Sequence, residues 1–122
     1  MRLLLDTHIL LWALADDPAL KPAWRDALDG AESLHVSAAT VWEIAIKRAL
    51  GKLRVDGDPA REAREAGCLP LAITWEHGEA AGGLPPHHAD PFDRLLIAQG
   101  RLEGLTILTA DAMFARYEVA LL

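Results

Sequence analysis

The chain carries a single cysteine, Cys68, in 122 residues. No intramolecular disulfide can form, and such sparing use fits a reducing compartment. No apolar run is long enough to span a bilayer. The nearest approach is the opening stretch MRLLLDTHILLWALADDPAL, in which Asp6 and His8 interrupt the apolar core and no small-residue cleavage site follows. It reads as a strand and then a helix rather than a targeting segment, and the expected location is the cytoplasm. A surplus of positive charge is also missing. Twelve Lys and Arg stand against eighteen Asp and Glu, for a net charge of −6 at pH 7. That argues against a general electrostatic grip on nucleic acid. It does not exclude a nuclease, because divalent cations held by carboxylates reverse the local field. There is no fixed-period repeat and no low-complexity run, so solenoids and disordered tails are set aside.

What is present is an ordinary globular composition, 52% apolar and 25% charged. The length predicts one domain over residues 1–122. Arg2 to Leu5 reads as a buried strand, and Thr7 to Ala15 as a helix with Ile9, Trp12 and Ala13 on one face. A helix from Lys21-Pro22 to Gly30 precedes a strand at LHVS. Ser37 can cap a helix from Ala38 to Leu50, which Gly51 ends. Asp58-Pro59 opens another helix, stopped by Gly67. Leu69 to Ile73 is a strand carrying Pro70, hence short or at an edge. Thr74 opens a helix to Gly82. Pro91 to Arg101 is a helix, LTILT a strand, Met113-Phe114 a single turn and YEVALL a closing strand. Apolar strands alternating with helices predict an α/β fold with a parallel sheet covered on both faces. Ligands in such folds lie beyond the carboxyl ends of the strands, where Asp6 and Asp111 sit.

Each acid has a plain structural explanation when taken alone. Asp6 and Asp111 each precede a helix and suit an N-cap. Asp90, followed by Pro91, suits a cap as well. Asp93 favours the helix dipole by about 0.3–1 kcal/mol, yet it leads straight into Leu95, Leu96, Ile97 and Ala98. An acid that close to a buried face is desolvated unless something positive meets it. Glu43 lies among Val41, Trp42, Ile44, Ala45 and Ile46. No cap explains it, and an exposed i,i+4 pair with Lys47 is the alternative. Thr40, Glu43 and Lys47 form one polar stripe along that helix.

Together the acids say more. Carboxylates gathered at one place raise each other's pKa values. A divalent cation resolves the repulsion, and oxygen ligands favour Mg²⁺ or Mn²⁺ over Zn²⁺. The chemistry such sites support best is phosphodiester hydrolysis, with one ion or with two about 4 Å apart.

The segments LLLDTHILLWAL, SAATVWEIAIKRALGKL, HHADPFDRLLIAQG and LTILTADAMFARY together resemble a PIN domain, and more narrowly the VapC-type ribonuclease toxins of toxin–antitoxin pairs. The likeness runs from Arg2 to about Tyr117. It implies a three-layer fold with a mostly parallel sheet of about five strands between helices. It implies a metal-dependent endoribonuclease whose catalytic acids are Asp6, Glu43, Asp93 and Asp111. Asp6, Asp93 and Asp111 would hold the metal, with Asp90 a possible further ligand. Glu43 would orient or deprotonate the attacking water. Thr7 and Thr109 match the small hydroxyl residues lining such sites. The resemblance further implies an RNA substrate, a homodimer and a small cognate antitoxin.

Lys47, Arg48, Lys52 and Arg54 form the densest basic stretch. Lys47, Lys52 or Arg54 could contact RNA phosphates. His87-His88 lacks metal-ligand spacing and reads as a loop pair before a helix. Trp12, Trp24, Trp42 and Trp75 read as core or interface packing, with the Trp12 and Trp24 helices as a candidate dimer or antitoxin surface. Two rival functions are a housekeeping PIN nuclease without an antitoxin and a non-hydrolytic Mg²⁺-binding regulatory domain. A receiver would need an aspartate ending its third strand, and CLPLAIT has none.

Overall fold

A computed structural model describes residues 1–122. Four strands make one parallel sheet in the order β3-β2-β1-β4. In chain order the elements are β1 (Arg2–Leu5), α1 (Thr7–Ala15), α2 (Pro22–Gly30), β2 (Ser33–Ser37), α3 (Ala38–Ala49), α4 (Pro59–Glu65), β3 (Leu69–Leu71), α5 (Trp75–Gly82), α6 (Pro91–Glu103) and β4 (Thr106–Leu108). A short 3₁₀ turn, Ala112–Arg116, follows. The fold class is the α/β arrangement expected from the alternation of strands and helices.

Period-two alternation in β1 sorts the core into two layers. Leu3 and Leu5 join Ile9 and Leu10 of α1, Val36 of β2 and Ile44 of α3. Leu4 points the other way, to Leu96 and Ile97 of α6, Ile107 of β4, Phe114 and Tyr117. The inner strand β1 and the end of β4 are apolar and covered on both faces, whereas β2 carries Ser33, His35 and Ser37 and the edge strand β3 stays largely exposed. Local signals set the helix ends. Ser37 accepts from the Ala39 amide and Asp58 from the Arg61 amide. Thr74 accepts from the His77 amide while the His77 ring accepts from the Thr74 amide. Gly104, at φ 64°, closes α6.

Two expectations change. The closing strand over YEVALL shrinks to a one-residue parallel bridge, Ile107 to Leu121. The Tyr117 amide bonds back to Phe114 and the Val119 amide to Tyr117, so turns consume the groups a strand would need. The sheet therefore has four strands rather than about five. Trp42 and Trp75 are not core: they are 62% and 88% exposed. Trp12 and Trp24 do pack, stacked with ring centroids 6.3 Å apart. Pro70 sits on the edge strand β3, where its missing amide interrupts no inner ladder. No helix is long and apolar enough to cross a membrane.

The strand order places a topological switch point between β1 and β4: β1 leads toward β2 on one side, and β4 is added on the other. Crevices for ligands form there. The helix α6 closes over β4 through Gly100. A Cβ at that position would lie 2.9 Å from Ile107 Cδ1 and 3.2 Å from Val119 Cγ2. Gly100→Val is expected to destabilise the chain by about 1–3 kcal/mol through overpacking. Urea unfolding checks this, and an unchanged midpoint would contradict so close an approach.

Candidate active site

The switch point holds a cavity of about 380 Å³ lined by five carboxylates, Asp6, Glu43, Asp90, Asp93 and Asp111, together with His8, Trp12, Lys47 and Ala110. Residues spread over the whole chain reach it because three of the acids sit at element junctions. Asp6 ends β1, Asp111 follows β4, and Asp90 opens α6.

Asp6 is almost fully buried and still well supplied with donors. Its Oδ1 accepts from the Thr7 amide at 2.7 Å, and its Oδ2 accepts from the Thr109 hydroxyl at 2.6 Å. Thr109 Oγ1 in turn accepts from the Asp111 amide at 3.0 Å, so one hydroxyl links both acids. Burial pushes the Asp6 carboxyl above the usual range, against those hydrogen bonds.

Glu43 is 3% exposed, so the polar stripe of α3 points inward rather than into solvent. The Thr7 hydroxyl donates to Oε1 and Lys47 Nζ pairs with Oε2, both at 2.5 Å. The Glu43 hydrogen bond raises the Lys47 pKa, and the charges of Glu43, Asp90 and Asp93 add to it. Thr40 lies 3.2 Å from Thr7 in the same buried network.

The two acids of the DPFD segment differ. Asp90 Oδ1 accepts from the Phe92 and Asp93 amides at 2.8 and 3.1 Å, a helix cap. Asp93 takes no backbone or hydroxyl hydrogen bond. Its one polar side-chain contact is His88 Nε2, 2.8 Å from Oδ2. Burial, then the charges of Asp6 and Asp90, push the Asp93 carboxyl up to about 7, although His88 opposes them. Asp111 is the more open acid, with Oδ1 on the Met113 amide and Oδ2 3.2 Å from His88 Nε2.

The structure thus brings Asp6, Glu43, Asp93, Asp111, Thr7, Thr109 and Lys47 together, with Asp90 at the rim. It does not bring Lys52 or Arg54 into the acidic cavity. Both are exposed, and Arg54 lines a neighbouring cavity that also reaches His8 and Trp12. His88 is what sequence reasoning missed. The HH pair reads as loop filler, yet ligand atoms of His88, Asp93 and Asp111 all lie within 4.8 Å of one another. Its position two residues before the Asp90 cap was the only available signal. The donor set fits a divalent cation: carboxylate oxygens predominate, they repel one another, and Asp93 has no donor but His88.

The fold and this pocket define a class of α/β protein, one whose parallel sheet gathers carboxylates at its switch point. The chain belongs to the PIN domain family, whose model matches residues 3–120. Solved structures share the fold. The VapBC2 complex of Rickettsia felis, bound to a DNA fragment from its promoter, has TM-score 0.73 at 14% identity, covering 100% of this chain and 98% of that one. The FitAcB structure from Neisseria gonorrhoeae gives 0.66 at 20%, covering 98% and 95%. VapC20 of Mycobacterium tuberculosis, a Sarcin-Ricin loop cleaving toxin, gives 0.64 at 14%, covering 97% and 96%. No curated protein sequence matches the chain.

The raised Asp93 carboxyl makes stability depend on pH. The folded chain holds a proton up to about pH 7 that the unfolded chain releases near 3.8. This contribution is whole below the lower value and is lost as pH rises through the higher one. In chelator, the melting temperature is therefore expected to fall between pH 5 and pH 8. Asp93→Asn should flatten that slope and raise the melting point at pH 8. Calorimetry across that range checks both, and a melting point that climbs with pH would contradict the burial described.

Proposed function

We propose that the chain is a metal-dependent endoribonuclease of the toxin type, inhibited by a small cognate antitoxin. One observation carries the reading: five carboxylates share one cavity at the switch point, and only one ammonium, Lys47, faces them there. Membership of the PIN family supports it. So does the toxin–antitoxin character of structural neighbours such as the complex from Klebsiella pneumoniae.

In this reading Asp6, Asp93 and Asp111 hold Mg²⁺ or Mn²⁺, while Asp90 caps α6. When bound, the ion supplies Lewis-acid chemistry, acidifying water and screening charge on the phosphoryl oxygens. Glu43, aimed by Thr7 and Lys47, accepts a hydrogen bond from the attacking water and takes its proton. Its two fixed oxygens retain lone pairs for that task. Thr109 holds Asp6 in register with the Asp111 backbone. Lys47, two-thirds covered and paired, offsets the Glu43 charge and stands nearest an incoming phosphate. Arg54, on the neighbouring cavity, and the exposed Lys52 would meet a longer RNA strand. The stacked Trp12 and Trp24 helices offer the surface for a second copy or the antitoxin.

Incubating the purified, antitoxin-free protein with total RNA in Mg²⁺, Mn²⁺ or chelator, and mapping the cut ends, tests the function. Cleavage is expected with metal and none with chelator. Asp6→Asn and Asp93→Asn should each slow it by more than about 100-fold, the several kcal/mol a lost metal is worth. Asp90→Asn should cut normally, because asparagine caps as well as aspartate. Metal binding without RNA cleavage would favour a regulatory domain instead. Loss of cleavage in Asp90→Asn alone would exchange the roles of the two acids.

A further inference from the structure

Asp6, Glu43, Asp90 and Asp111 are each oriented by an amide, a hydroxyl or an ammonium. Asp93 alone is not. The only polar group that reaches its carboxylate is His88. The same imidazole nitrogen also donates to Asp111 Oδ2 at 3.2 Å. A single N–H therefore stands between two of the acids assigned to the cation.

The other ring nitrogen settles the proton. His88 Nδ1 accepts from the Asp90 amide at 3.3 Å, so the neutral ring carries its hydrogen on Nε2. That nitrogen offers a donor to the carboxylates and no lone pair to a metal. The ring is half-buried, edge-on to Phe114 with centroids 6.2 Å apart.

The loop bearing it is pinned. The Arg94 guanidinium donates to the carbonyls of Ala81, Leu84, Pro85 and His88 at 2.8 to 3.2 Å. The Tyr117 hydroxyl accepts from the His88 amide at 2.7 Å and donates to the Pro85 carbonyl at 2.8 Å. Arg94 follows Asp93 on α6, so one helix turn supplies both the acid and the clamp for its partner.

We propose that His88 is a positioning residue: its Nε2–H holds Asp93 and Asp111 in the one relative orientation that receives a divalent cation. The proposal rests on the reading of the pocket as a cation site. Hydrogen bonds to ligating carboxylates of this kind are worth about 10–100-fold in metal affinity. Glutamine at position 88 keeps an N–H of similar reach and removes the imidazole.

Calorimetric titration of Mn²⁺ into the RNA-free protein tests it, with the melting point of each variant confirming that it folds. His88→Ala is expected to weaken Mn²⁺ binding about 10–100-fold. His88→Gln is expected to restore it to within a few-fold of the unmodified chain. Tyr117→Phe, which frees the loop and leaves the ring intact, should give a smaller loss. Unmodified affinity in His88→Ala overturns the proposal and leaves the cation site standing. Binding as weak in His88→Gln as in His88→Ala overturns it too, by making the imidazole itself the ligand. An unmodified chain that takes up no Mn²⁺ sinks the cation site and this inference with it.

Discussion

Carboxylates forced into one cavity at the carboxyl edge of the sheet are the constraint on which the rest of the structure depends. Asp6, Asp90 and Asp93 are close enough that burial and mutual repulsion hold Asp93 half-protonated near neutrality. Burying even one ionised carboxylate is expensive without a partner. The chain supplies partial remedies: hydroxyls on Asp6 and Glu43, one ammonium on Glu43, and amides on Asp90 and Asp111. None supplies a full positive charge to the middle of the cluster. A bound divalent cation would relieve that repulsion, which is why the proposed function rests on this cavity.

The scaffold explains how so few contacts suffice. β1 pairs in parallel with the edge strand β4, and their carboxyl ends deliver Asp6 and Asp111 side by side. The Asp6 amide bonds to the Leu108 carbonyl at 3.0 Å, so the last ladder hydrogen bond sets the first site residue. Leu3, Leu4, Leu5, Ile107 and Leu108 are all but inaccessible to solvent. That packing gives the acids a rigid floor, and rigid elements hold a site better than loops do. Glu43 arrives from α3, whose cap, Ser37, is fixed at the end of β2.

Much of this was legible in the residues. Strand ends and helix starts are marked by local chemistry, so Asp6, Asp90 and Asp111 could be placed from their neighbours alone. Glu43 stood out because an acid amid Val41, Trp42, Ile44 and Ile46 has no cheap explanation. What stayed hidden depends on distant chain segments. His88 matters because Arg94 and Tyr117 pin its loop, and no local pattern shows that. The fate of YEVALL turned on backbone groups already spent in turns. Trp42 and Trp75 look like core by composition, but exposure is decided by what packs above a helix, not by the side chain.

The most direct test of the cation pocket is a crystal of this chain soaked in Mn²⁺ and measured for anomalous scattering. A peak bridging carboxylate oxygens of Asp6, Asp93 and Asp111 is the result expected. A well-ordered pocket with no peak, or ions bound only at other acids on the surface, would contradict it.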